Sequence, residues 1–252
     1  MLSQKAKDLF AKLDMEYQPI AIKCHYCQPK GIDHVDEVMP MCAFPEKAGR
    51  EDRRFYVTKE DDNCFGKLIF GMVDEDSLAV SGQAGMDFGV YKTQAPNAVL
   101  YHNLSKLKRG AANYIEFCPV HLCDFDPDLI LCVAEIEKAD ILMRAASYIN
   151  GDIWESKSTC VLGCNWMFGY PYVSGKINHF VTGMGHGMRR IGQYPAGRMV
   201  ISIPFGRIDQ VVTGLDEMRW DLICMSEDPA DQAEFKRRTD AWQEMNPGFE
   251  LQ

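Results

Sequence analysis

Residues 159–190, TCVLGCNWMFGYPYVSGKINHFVTGMGHGMRR, crowd Cys160 and Cys164, His179 and His186, glycines at 183, 185 and 187, and the pair Arg189 and Arg190 into one stretch. Thiolates and imidazoles are metal ligands, glycines let backbone N–H groups turn toward an anion, and arginine adds charge with a bidentate fork. The chemistry these types suggest is an anion cradle, made of Gly183, Gly185, Gly187, Arg189 and Arg190, beside a thiolate cluster. No helical or strand period is sustained here. The plainer alternative is a glycine-rich surface loop with a buried cysteine or two.

Other cysteines fall into two kinds. Cys42, in Met41-Cys42-Ala43, and Cys64, in Asn63-Cys64-Phe65-Gly66, share with Cys160 an irregular setting flanked by glycine or proline, where a thiolate can be presented. Cys132 in LILCVA and Cys224 in DLICM sit in apolar runs and read as small packing residues. Cys24-His25-Tyr26-Cys27 is a C-x-x-C at a strand end, either half of a zinc site or a redox pair, with no second C-x-x-C at ribbon spacing. Cys118, His121 and Cys123 form another Cys/His group beside Pro119.

The chain has 252 residues, 46% of them hydrophobic and 25% charged, which is ordinary for a globular protein. A net charge of -9 argues against non-specific nucleic-acid binding, which needs a basic face. No apolar run is long enough to span a bilayer, and MLSQKAKDLF lacks the apolar core of a signal peptide, so a cytoplasmic protein is expected. In a reducing compartment ten cysteines point to metal or redox chemistry rather than a disulfide framework.

Positioning elements follow from periodicity. Residues 3–13 predict an amphipathic helix capped by Ser3, and 17–23 a first strand. A short helix is expected at 44–48 and strands at 53–58 and 97–101, while GKLIFGM is ambiguous. PDLILCV at 127–133 is the clearest buried strand, followed by a helix over 135–150 with Gly151 as its stop. A strand at 198–203, a helix striped by Ile208, Val211, Val212, Leu215 and Met218, and a surface helix at 229–244 complete the order. The fold class is therefore α/β, with mixed sheets and flanking helices. Pro19, Cys42 and Tyr56-Val57-Thr58 recur as Pro127, Cys160 and Tyr172-Val173-Ser174, 108 to 118 residues later. That spacing suggests two similar half-domains, 1–115 and 116–252 with the Cys/Gly-rich loop, or else one compact domain.

PIAIK at 19–23, Met41-Cys42-Ala43 with Ala48-Gly49, YVTKEDDNC at 56–64, PDLIL at 127–131, Gly151, Cys160, the 185–190 region and ISIP at 201–204 together resemble the prokaryotic domain of unknown function 169. The family conveys no established activity. The resemblance implies a cysteine-bearing protein typical of anaerobic prokaryotes, with Cys42, Cys64 and Cys160 at recurring cysteine positions and the other cysteines particular to this chain. Two departures are visible. Cys64-Phe65-Gly66 stands where relatives read Cys-Gly-Gly, and Gly187-Met188 stands where a cysteine or aspartate often precedes the arginine.

The leading expectation is an iron–sulfur cluster held by Cys42, Cys64 and Cys160, since scattered cysteines suit a site closed by tertiary structure. Cys164 or His186 would be the fourth ligand, or the position would stay open for a small anionic molecule undergoing redox or Lewis-acid chemistry. Such an enzyme would be an oxidoreductase or a lyase, working as a homo-oligomer or with a redox partner protein. Three alternatives stand beside it: a structural zinc site using Cys24 and Cys27; a carrier or sensor for a tetrapyrrole lined by Trp166, Met167, Phe168, Tyr170, Tyr172 and His179; and a metal-free enzyme with a nucleophile such as Cys64.

Overall fold

The computed structural model describes residues 1–248 other than Met184, and of His186 the backbone alone. Its strands are β1 (Ile20–His25), β2 (Asp33–His34), β3 (Phe55–Val57), β4 (Tyr114–Pro119), β5 (Leu129–Ala134), β6 (Asn178–Val181) and β7 (Met199–Pro204). They form one sheet in the order β2-β3-β4-β1-β5-β7-β6, antiparallel except for the β2–β3 pair. This is the expected mixed α/β architecture. The boundary expected near residue 115 falls inside β4, and β1 is hydrogen-bonded between β4 and β5. The matched tripeptides also differ in structure, because Tyr56-Val57 lies in β3 whereas Tyr172-Val173 lies in a short helix with Pro171 in its first turn.

Alternation along the strands sends side chains to two cores. Ile20, Ile22, Leu129, Leu131, Val133 and Val200 enter one, and Ala21, Ile130, Cys132, Ala134, Ile201 and Ile203 enter the other.

Eleven helices are described. α1 (Gln4–Lys12) is capped by the Ser3 hydroxyl, which accepts from Ala6 N at 3.1 Å. α2 (Phe44–Glu51), α3 (Gly66–Ile69), α4 (Ser77–Val80), α5 (Gln83–Asp87) and α6 (Gln94–His102) follow, then α7 (Ile136–Ser147), α8 (Tyr170–Ser174), α9 (His186–Ile191), α10 (Phe205–Glu217) and α11 (Pro229–Met245). α1, α7 and α10 cover the Cys132 face, and α2, α3 and the segments between residues 164 and 194 cover the other. α11 buries no residue.

Residues 97–101, expected as a strand, belong to α6. Asn97 and Tyr101, one helical turn apart, are its buried residues, so packing of that turn overrides the short apolar run. The stretch 159–190, which shows no period, holds a π-helix (Asn165–Gly169), α8, β6 and α9. Trp166, Met167, Phe168 and Tyr170 are buried in the core as packing side chains, leaving Tyr172 and His179 of that set nearer the surface. Cys132 is fully buried as expected, but Cys224 is exposed, in the segment after α10.

Candidate functional site

Asp62 organises the corner where the first cysteines meet. Its carboxylate, almost fully buried, accepts from the backbone N–H of Met41 (2.9 Å), Cys64 (3.1 Å) and Lys67 (2.6 Å), and Lys67 Nζ donates to its carbonyl at 2.7 Å. One side chain thereby ties the 3-10 turn of Met41–Ala43 to the Cys64 loop and the first turn of α3. Burial pushes the Asp62 carboxyl up, and the three N–H donors oppose that rise. Gly66 completes the joint. A Cβ there would lie 2.0 Å from Met41 Cβ, so only glycine lets the Cys42 turn approach α3.

Cys164 arrives from the far side, immediately before the π-helix. Its thiol is hydrogen-bonded with that of Cys42, and this bond together with burial and the proximity of Cys42, Cys64 and Asp62 pushes it well above the ordinary thiol range. The Cys64 thiol is raised by burial and by Asp62 and Cys42, although the residue keeps an exposed surface. Thiols from three separate segments therefore lie near one another, and Lys67 draws the Cys64 thiol back down. π-Turns are uncommon and recur at functional sites. Gln193 Nε2 donates to the Cys42 carbonyl, and buried Tyr194 is raised by burial and by nearby Glu46 and Cys42.

Cys42 lies near both Cys64 and Cys164 and raises the thiol of each. Cys160 lies four residues before Cys164, half-buried, beside Tyr91, whose phenol is raised by burial and by the Cys160 thiol. The turn between the two cysteines passes through Leu162 at φ 58, a left-handed conformation uncommon for leucine. Trp166 Nε1 holds this turn, donating to Thr159 Oγ1 at 3.0 Å and to the Val161 carbonyl at 3.2 Å. The His186 side chain, the other candidate fourth ligand, lies outside the described residues. Among the described residues no group of three or more His, Cys, Asp or Glu side chains is placed to hold a metal ion.

The glycines and arginines of the expected anion cradle lie around α9. Gly183 takes φ +87 in the turn after β6, where a Cβ would meet Ala196 Cβ at 2.8 Å; Gly185 is the N-cap of α9, and Gly187 lies within it. Arg189 and Arg190 are both exposed on this six-residue helix.

The remaining cysteines are separate. Cys118 and Cys123 are buried on the opposite face of the sheet and donate to the carbonyls of Pro119 (3.4 Å) and Phe125 (3.3 Å); burial pushes Cys118 up to about 12. Cys24 is raised by burial and by Asp128, whose carboxylate accepts from its N–H at 2.8 Å, while Cys27 is exposed. His25 pairs with the buried Glu116 at 2.7 Å and His121 with Asp52 at 3.2 Å.

Asp62 is the residue that sequence reading missed. The signal was present in Asp62-Asn63-Cys64, because an aspartate two residues before a turn residue is placed to accept its N–H.

A sheet covered on both faces, with a thiol corner on one of them, defines the class of protein. The family model of domain of unknown function 169, described as uncharacterised ArCR, matches residues 8–214, and the chain belongs to that family. No curated protein and no solved structure matches it.

Proposed function

We propose that this protein holds an iron–sulfur cluster in the corner formed by Cys42, Cys64 and Cys164, with Cys160 as the adjacent fourth donor or a position left for a small anionic molecule. The convergence of those three thiols from elements far apart in sequence carries the proposal. Soft sulfur donors suit iron and zinc, and clusters are closed by cysteines from scattered positions more readily than paired-cysteine zinc ribbons are. The donor set also fits electrostatically. Thiols raised by burial and by one another lose their protons when a cation enters among them.

When bound, such a cluster would supply one-electron transfer or a Lewis-acidic iron. The chain's own part is to hold the donors and to limit water. Asp62 and Gly66 fix the Cys42 turn against the Cys64 loop, Trp166 braces the Cys160 turn, and Cys42 and Cys164 are both almost fully buried.

The test is purification without oxygen, followed by ultraviolet–visible absorption and iron, zinc and sulfide analysis. Iron and sulfide together with broad visible absorption are expected. Cys42→Ser, Cys64→Ser and Cys164→Ser should each remove most of the metal, whereas Cys118→Ser and Cys132→Ser should retain it. Metal retained in all three of the first set would end this assignment. Zinc without sulfide would replace the cluster by a structural zinc site, and a metal-free protein with a Cys42–Cys164 disulfide would replace it by a redox dithiol.

A further inference from the structure

On the opposite face of the sheet from the thiol corner, at its β6 edge, a cleft of about 460 Å³ lies between α7, α10 and the strap that follows α7. That volume is within the range of small-molecule sites. His179 stands in it, and its Nδ1 is buried without a hydrogen-bond partner. Burial lowers the pKa of this ring, so at neutral pH it offers one donor and one acceptor. A buried polar nitrogen left alone is costly, which makes it a place where a ligand or water belongs.

Arg207 is held ready on the rim. Nη1 donates to Gln210 Oε1 at 2.8 Å, and Gln210 Nε2 in turn donates to the Ala146 carbonyl. The rest of the guanidinium makes no hydrogen bond among the described residues, although Asp152 lies 3.6 Å from Nη1. Lys176 and Glu155, across the cleft, are 3.5 Å apart. Both separations exceed the roughly 2.7–2.9 Å of a charge-assisted hydrogen bond, so each pair can open to admit a ligand group. Asn150 Nδ2 meanwhile steadies the Asp152 carboxylate at 2.8 Å.

We propose that this cleft binds a small zwitterion of the α-amino-acid type. Its carboxylate lies on the free fork of Arg207 and its ammonium between Asp152 and Glu155. Its apolar side chain covers Met143 and Ile177 beneath Trp154, with His179 Nδ1 supplying a hydrogen-bond partner that the protein leaves unused. Charge selects this class. A purely anionic ligand would lie against Asp152 and Glu155, and a purely cationic one against Arg207 and Lys176, whereas a zwitterion pairs with both signs at once.

Isothermal titration of the full-length protein with L-leucine and L-phenylalanine tests the assignment, using 4-methylpentanoate, 3-phenylpropanoate, isopentylamine and phenethylamine as comparators. Saturable binding of at least one amino acid is expected, with each comparator at least about tenfold weaker. Arg207→Gln and Asp152→Asn should each weaken binding by a similar factor with an unchanged circular-dichroism spectrum. If Arg207→Gln fails to fold, Asp152→Asn carries the test. The proposal is overturned if neither amino acid saturates, if a deaminated or decarboxylated comparator binds as tightly, or if the folded variants bind as well as the parent.

Discussion

Asp62 links three backbone donors to two cysteine-bearing loops, and its replacement separates architecture from ligation. Asp62→Ala leaves the N–H groups of Met41, Cys64 and Lys67 without their acceptor, at a cost on the order of 3 kcal/mol. Asp62→Asn does not rescue it fully, because an amide nitrogen replacing one carboxylate oxygen opposes an N–H donor. Urea unfolding of both variants checks this, and a change under 1 kcal/mol for Asp62→Ala, well below that order, would show that water replaces the carboxylate. The thiols make a second residue-level prediction. In metal-free, reduced protein at about pH 8, iodoacetamide should label the exposed Cys27 and Cys224 first, since alkylation needs an accessible thiolate. Cys118, Cys132 and Cys164 should remain largely unlabelled, because burial, with the Cys42 hydrogen bond in the case of Cys164, keeps them protonated. Mass spectrometry of timed samples reads the order, and rapid labelling of Cys164 would mean that the corner is not held as described.

Elements place the thiols by close approach more than by regular length. The π-helix that follows Cys164 passes so near the preceding layer that a Cβ on Gly169 would lie 2.2 Å from the Ser105 carbonyl and 2.7 Å from Ile69 Cγ2. Ile69 belongs to α3, the helix begun by Gly66, so one packing contact links the Cys164 and Cys64 segments. Gly169→Ala should therefore cost roughly 1–3 kcal/mol and loosen the thiol corner, seen as a lower denaturation midpoint together with faster alkylation of Cys164. An unchanged midpoint would show that the two segments adjust independently. Such joints are poorly legible in sequence. A glycine needed for close approach looks the same as one in an open turn, and the π-turn of Asn-Trp-Met-Phe-Gly carries no period of its own. Long amphipathic helices and β5 were legible, because an apolar face or a doubly buried run is written directly into residue order.

Across the whole molecule, the α/β class and four strands of the central sheet (β1, β3, β5 and β7) are legible in sequence pattern, while the order of those strands and the neighbours of Cys42 come from tertiary packing. Cys160 and Cys164 are four residues apart in the same irregular segment, and local sequence cannot say which one the left-handed turn at Leu162 carries inward. The C-terminal end is simpler. Met218 is the last buried residue of either core, with half-buried Trp220 packed against it, and the family match ends at residue 214. α11 buries no residue and is joined to the body by contacts such as the exposed Arg219–Asp231 pair, an interaction that solvent screens. A chain ending at residue 226 should therefore unfold cooperatively, with a loss on the order of 1 kcal/mol. Metal content after oxygen-free purification should match that of the full chain, because none of Cys42, Cys64, Cys160 or Cys164 touches the removed segment through any described hydrogen bond or ion pair. A thermal melt and an iron assay on the shortened protein check both statements. A broad, non-cooperative transition would place α11 within the folding unit, and loss of metal with the fold intact would tie that helix to the thiol corner.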